Sequence, residues 1–318
     1  MTESLPAIST ARYIQRQLVG QTVRFVAGKF CNSAIRNTRH FREWFHIPMN
    51  YVRMMELPLT ALLLQAQAHE AILDVSSPKL LALYYALQGY DGVVAADVED
   101  YFVADFEAYR KHANIAIDVA TFDAADCIPY ADGHFDKVFS VSVLEHIPYD
   151  GDTRAVREML RVLKESGCGV LTLPAFPSYI EEWLSWSPPW PSVRNAQGKS
   201  FFQRRYDREA LLNRLLVPGA TIEQIVLIAE KPAKPPHLAD DGMLLHNAYY
   251  IDHVPLARLI DAIGRRLRFL PFMPYLAQRY VSRKCHYLTS DWADPNIRQV
   301  VIKITKNTSS GQVHAGAA

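Results

Sequence analysis

No stretch of this chain approaches the roughly 18 consecutive apolar residues that cross a bilayer. The opening Met-Thr-Glu-Ser lacks the basic flank and apolar core of a secretory signal. Its cysteines, Cys31, Cys127, Cys168 and Cys285, are scattered, with neither metal-ligand spacing nor the density of a disulfide framework. They read as reduced thiols in a cytoplasmic protein that holds no metal. An excess of one charge is also missing: 34 basic against 33 acidic side chains leave a formal +1, which argues against a dedicated nucleic-acid binder. What is present is a 49% hydrophobic composition, enough for one large core or a core with a smaller cap. Basic residues gather locally between Arg12 and Arg53, and again between Arg258 and Lys284. Such clusters are ordinarily solvated surface.

Residues 10–66 place apolar and basic positions at helical spacing (Ile14 and Leu18 against Arg12 and Arg16), which predicts a helical N-terminal extension or lid over residues 1–66. A core follows over 67–231. Residues 71–75 form a short apolar run suited to a strand buried on both faces, and Ser77-Pro78 before 79–87 reads as a helix start. Further strands are expected at 93–97, 115–122, 135–144, 168–173 and 221–230, with helices at 101–112, 152–164 and 207–216. Strand and helix alternate, which implies a doubly wound, Rossmann-like, mostly parallel α/β sheet. Residues 174–205, dense in Trp, Pro and Phe, read as an irregular loop that lines something. A helical insertion at 232–297 precedes the last strand, 298–306, and a disordered tail, 307–318.

Asp97 closes the second strand, where a carboxylate can accept both ribose hydroxyls of a bound adenosine. Downstream stand Asp123-Ala124, then Ile-Pro-Tyr, Asp-Gly-His-Phe-Asp ending at Asp136, a fourth strand, Leu144-Glu145-His146, an amphipathic helix, and Gly-Cys-Gly-Val-Leu-Thr ending at Thr172. Over about residues 70–175 this run resembles the class I S-adenosylmethionine-dependent methyltransferases, in particular the type 11 group. The resemblance implies a seven-stranded sheet with an antiparallel last strand, the 232–297 insertion lying between the last two strands. It implies S-adenosyl-L-methionine as cofactor, with Asp97 on the ribose, Asp123 and Ala124 at the adenine, and Ser140 and Val141 along the methionine portion. Asp74, Ser76 and Ser77 complete that shell.

The first loop departs from the family. Glycines are usual where this chain has Ser76, Pro78 and Leu80, and their loss must reshape the backbone. Ser76 and Ser77 add hydroxyl donors, and Lys79 can meet the methionine carboxylate. A methyltransferase-like, non-catalytic binding or scaffold protein is therefore the alternative. A nicotinamide dehydrogenase shares the acid on strand two but needs a glycine fingerprint that is absent here.

His146 is the candidate general base, set against a structural role in the shared motif. In-line alignment alone can supply up to roughly 7–11 kcal/mol, so no base is obligatory. Candidate contacts for the acceptor lie outside the shared core: Trp44, Tyr51 and Arg53 in the N-terminal segment, Trp183 and Trp186 in the aromatic loop. Residues 255–270 put Leu256, Leu259, Ile260, Ile263 and Leu267 on one face with arginines elsewhere. That pattern fits a packed helix or a basic amphipathic element peripheral to an anionic membrane, and the expected partner is a small-molecule or lipid-like acceptor.

Overall fold

The computed structural model describes residues 5–75, 78–188, 190, 192–231, 237–245, 257–267 and 270–307. Ser76, Ser77, Leu256 and the tail beyond residue 307, on which expectations were placed, lie outside the described residues. Four helices open the chain: α1 (Ile8–Lys29), α2 (Ser33–Arg36), α3 (Arg39–His46) and α4 (Arg53–Leu64). Next come β1 (Ile72–Val75), α5 (Leu80–Leu87), β2 (Val93–Asp97), α6 (Val103–Ala113), β3 (Asp118–Thr121) and β4 (Phe135–Val141). A single 3-10 turn (Leu144–His146) leads to α7 (Gly151–Val162) and β5 (Leu163–Pro174). The chain continues with β6 (Ile180–Leu184), β7 (Ser200–Arg205), α8 (Arg208–Leu215), β8 (Ala220–Glu230), β9 (His237–Leu238) and β10 (Leu244–Leu245). It ends with α9 (Ala257–Arg266), α10 (Met273–Cys285), β11 (His286–Thr289) and β12 (Ile297–Lys306).

The main sheet runs β11-β8-β12-β5-β4-β1-β2-β3. The five strands from β5 to β3 pair in parallel, and β12, β8 and β11 are antiparallel. β2 and β3 build outward on one side of β1 while β4 starts the other side, so strand order reverses between β1 and β4. That is the switch point where open α/β sheets leave a crevice beyond their carboxyl ends. The mostly parallel architecture is as expected, with one strand more than seven: β11, drawn from the insertion, pairs with β8.

Strand alternation divides the core. Ile72, Val93, Ala95, Phe139 and Val141 face one cluster with the apolar sides of α1, α3, α4, α5 and α6. Leu73, Val75, Val94, Ala96 and Val138 face a second cluster with α7 and α8. The N-terminal helices are therefore a layer of the fold: Leu18, Phe41, Met54 and Leu59 are buried in the same cluster as one face of the sheet, and α4, which packs on the sheet, starts beside the cavity at its carboxyl edge.

Two expectations are corrected. Helix α5 begins at Leu80, with Lys79 rather than Ser77 at its cap position. The stretch read as irregular contains an antiparallel hairpin, β6 with β7. Its inward side carries Glu182, Gln203 and Arg205, all buried, so the apolar alternation that marks a strand is missing from its sequence.

Candidate active site

At the carboxyl edge a cavity of about 1000 Å³ opens between β1, β2 and β4, the upper end of the size range for ligand pockets. Asp97 and Asp123, which end or follow β2 and β3, line it together with Ala124 and Val141. Asp97 Oδ1 accepts the Glu99 N–H at 3.3 Å and Oδ2 accepts the Tyr101 O–H at 3.2 Å. Burial, reinforced by Asp97, pushes the Tyr101 hydroxyl above its ordinary value, so it stays a donor. Asp123 Oδ1 takes the Ala125 N–H at 2.8 Å, fixing its carboxylate at the rim.

Behind Asp97 sits Lys79, fully buried. Its Nζ lies 3.5 Å from Asp97 Oδ2 and 4.0 Å from Asp74 Oδ1, donates to the Ala96 carbonyl at 2.5 Å, and rests 4.6 Å from the centre of the Phe102 ring. The lysine thus points into the protein between two strand-end carboxylates rather than toward a ligand. Asp74 is fully buried and does not line the cavity, because Lys79 and the body of the sheet enclose it. Ser140 is also buried off the wall, whereas Val141 and Ser142 reach it.

The opposite end of the cavity is built by the 3-10 turn, the start of α4, the hairpin and β12. Glu56, fully buried on α4, ties these parts together. It accepts from Ser142 Oγ at 2.5 Å, Gln299 Nε2 at 2.5 Å and Thr172 Oγ1 at 3.3 Å, and pairs with Arg53. Arg204, a buried guanidinium on β7, donates to the Ile147 carbonyl at 2.5 Å and the Tyr149 carbonyl at 2.6 Å, clamping the turn that presents Glu145 and His146.

His146 Nδ1 lies 2.7 Å from the Phe202 carbonyl, which places the N–H there and the lone pair on Nε2. Burial holds this imidazole down at about 4, so it is neutral at pH 7. Glu145 responds in the opposite direction: burial pushes its carboxyl up to about 8. Trp190 and Phe202, stacked at 5.6 Å, form an aromatic wall beside His146.

Of the residues expected to meet the acceptor, Arg53 lies on the cavity wall. Trp44 is buried on α3 against His40 and Tyr109, and Tyr51 stacks on His286 at 4.6 Å, so both serve packing. Trp183 packs on Phe201, and Trp186 is exposed, its N–H turned to Asp241. The wall residues that sequence reasoning passed over are Gln203, Arg205, Arg298, Gln299 and the carboxyl of Glu145. A signal was present in the aromatic density before residue 203, but strand parity was needed to say which residues turn inward.

The donor set fits S-adenosylmethionine at its nucleoside end: carboxylates at Asp97 and Asp123 stand along one wall of a mainly apolar cavity, with Pro78 and Val75 beside them. Residues 73–171 match the family model described as a methyltransferase domain. Among solved structures, coclaurine N-methyltransferase bound to N-methylheliamine and SAH is similar at 10% identity, covering 95% of each chain with a TM-score of 0.49. A putative methyltransferase from Bacillus halodurans is similar at 16% identity, covering 80% of this chain and 99% of that one with a TM-score of 0.46. The cyclase SpnF is similar at 17% identity, covering 94% and 96% with a TM-score of 0.44. Residues 73–171 of this chain therefore carry a methyltransferase domain.

Proposed function

We propose that the protein transfers a methyl group to a small-molecule or lipid-like acceptor by in-line displacement. The observation that carries this reading is the continuity of the cavity, which runs from Asp97 and Asp123 at one end to Glu145, His146 and Phe202 at the other. S-adenosylmethionine, when bound, supplies an electrophilic methyl on a sulfonium. The chain's own part is positional. Asp97 accepts the ribose hydroxyls, Asp123 and Ala124 hold the adenine edge, and Val141 lies along the remainder. Arg53, Phe202 and Trp190 enclose the acceptor and exclude water, so that alignment supplies most of the acceleration. His146 serves as a hydrogen-bond acceptor at Nε2; an imidazole held near 4 is too weak a base to carry a proton at pH 7.

Peripheral membrane contact has one supporting observation. Leu259 and Ile263 on α9, with Leu270 and Leu276, are exposed, and the last turn of α10 carries the exposed basic residues Arg283 and Lys284. No helix among the described residues is long and apolar enough to cross a membrane. Flotation with anionic liposomes tests the contact: protein that stays at the bottom of the gradient removes it.

Calorimetric titration of S-adenosylmethionine and S-adenosylhomocysteine is the test of the main reading. Asp97→Ala deletes two charge-assisted hydrogen bonds and is expected to weaken binding at least about 100-fold. Absence of binding to the wild-type protein would leave the scaffold reading in its place.

A further inference from the structure

Among the described residues, the three guanidiniums that line the cavity each have a carboxylate within 4 Å, and a fourth carboxyl beside them has no guanidinium so close. Arg53 pairs with Glu56, Arg205 Nε lies 2.9 Å from Glu182 Oε1, and Arg298 Nε lies 3.8 Å from Glu230 Oε2. The fourth carboxyl is Glu145. Its Oε1 has the imidazole Nε2 of His146 at 3.7 Å, too long for a hydrogen bond, and its Oε2 is buried with no hydrogen-bond partner among the described residues. The side chain is 1% exposed and lines the cavity. The charged groups that act on it are Arg53 and Glu56 from α4 and Arg205 from β7; each of the two arginines has a carboxylate of its own.

A buried carboxyl oxygen left without a donor is unfavourable, and the polar atom beside it, His146 Nε2, is another acceptor. An acceptor molecule that is itself an anion would meet guanidiniums that each already face a carboxylate within 4 Å, although Arg298 Nε makes no hydrogen bond to Glu230. A molecule that brings N–H donors and positive charge meets the group that lacks them, and the stacked rings of Trp190 and Phe202 favour a cation at their face.

We propose that Glu145 recognises the methyl acceptor and that the acceptor is an amine, its N–H bonds directed at Glu145 Oε2 and His146 Nε2. The proposal rests on the methyltransferase reading of the same cavity. An ammonium entering the site displaces the carboxyl proton of Glu145 to solvent and forms an ion pair. Return of one proton from the nitrogen to Glu145 Oε2 then leaves a neutral carboxyl and a neutral amine whose lone pair is free to form a bond to carbon.

The experiment is calorimetry on protein saturated with S-adenosylhomocysteine, using tryptamine and its hydroxyl isostere 3-(2-hydroxyethyl)indole as probes. Tryptamine is expected to bind at least tenfold more tightly. At pH 7 its binding is expected to release close to one proton, read from the change of observed heat with buffer ionisation enthalpy. Glu145→Gln should abolish both the preference and the proton release while its affinity for S-adenosylhomocysteine stays unchanged. Equal affinities, an amine that binds without proton release, no tryptamine binding, or a preference that survives the substitution would each overturn the proposal. The proton count is taken on the wild-type protein and so does not depend on the variant folding. Failure of S-adenosylhomocysteine itself to bind the wild-type protein would overturn the methyltransferase reading and this proposal with it.

Discussion

Replacing Lys79 with methionine keeps the length of the side chain and deletes its charge. The ammonium lies between Asp97, whose side chain is 13% exposed, and Asp74, which is 0% exposed. Asp97 can turn to water in the cavity; Asp74 cannot. Removing one partner of a buried ion pair costs about 3–5 kcal/mol, and the lost contact with Phe102 adds about 0.5–2 kcal/mol. Methionine recovers part of this by filling the space with apolar atoms. A net loss of about 3 kcal/mol is expected, a fall in Tm of roughly 6–12 °C at 2–4 °C per kcal/mol. Thermal denaturation followed by circular dichroism reads it, with Asp97→Asn as the control that removes the solvent-facing partner alone. A Lys79→Met protein whose Tm lies within about 2 °C of wild type would refute the assignment of Lys79 as the counter-cation of Asp74. Because Lys79 does not line the cavity, affinity for S-adenosylhomocysteine should change by less than about tenfold in the folded variant.

Glu56→Ala leaves Ser142, Thr172, Gln299 and Arg53 without their common acceptor and is expected to cost about 3–5 kcal/mol in urea unfolding with an unchanged m-value. A loss below about 1 kcal/mol would show that α4 is held by apolar packing alone. His146, depressed from 6.5 to about 4, contributes stability that is complete above pH 6.5 and lost as pH falls through 4. His146→Gln should therefore flatten the acid side of the stability profile, and parallel profiles would remove the buried neutral imidazole. Glu145, raised from 4.5 to about 8, has the reverse dependence. Its contribution is complete below pH 4.5 and lost as pH rises through 8, so Glu145→Gln should gain on wild type between those values in denaturation at pH 5 and pH 8.5.

The nucleoside end of the site was legible because its signals are local. Buried runs ending in Asp97, or followed two residues later by Asp123, need only a strand and the step beyond it, and the parallel sheet follows from their alternation with helices. The acceptor end was not. Its wall comes from the start of α4, one side of a hairpin whose inward residues are charged, and two positions at the head of β12. Aromatic residues drew attention to Trp44, Tyr51, Trp183 and Trp186, and apolar bodies of that size are buried wherever a core needs filling. Glu145 stood in plain view inside Leu-Glu-His, yet that Arg53, Arg205 and Arg298 each face another carboxylate can be seen only in the folded chain.

The bond between Glu56 and Gln299 joins residues 243 positions apart. Closing a flexible loop of that length costs on the order of 5 kcal/mol in chain entropy, whereas the strands that lead to Asp97 and Asp123 are closed by short βα crossovers. The two ends of one cavity therefore belong to different moments of synthesis. A nascent chain that has delivered β1 to β5 can already shape the nucleoside crevice, but the chamber for the acceptor has no far wall until the head of β12 has left the ribosome and reached back to α4.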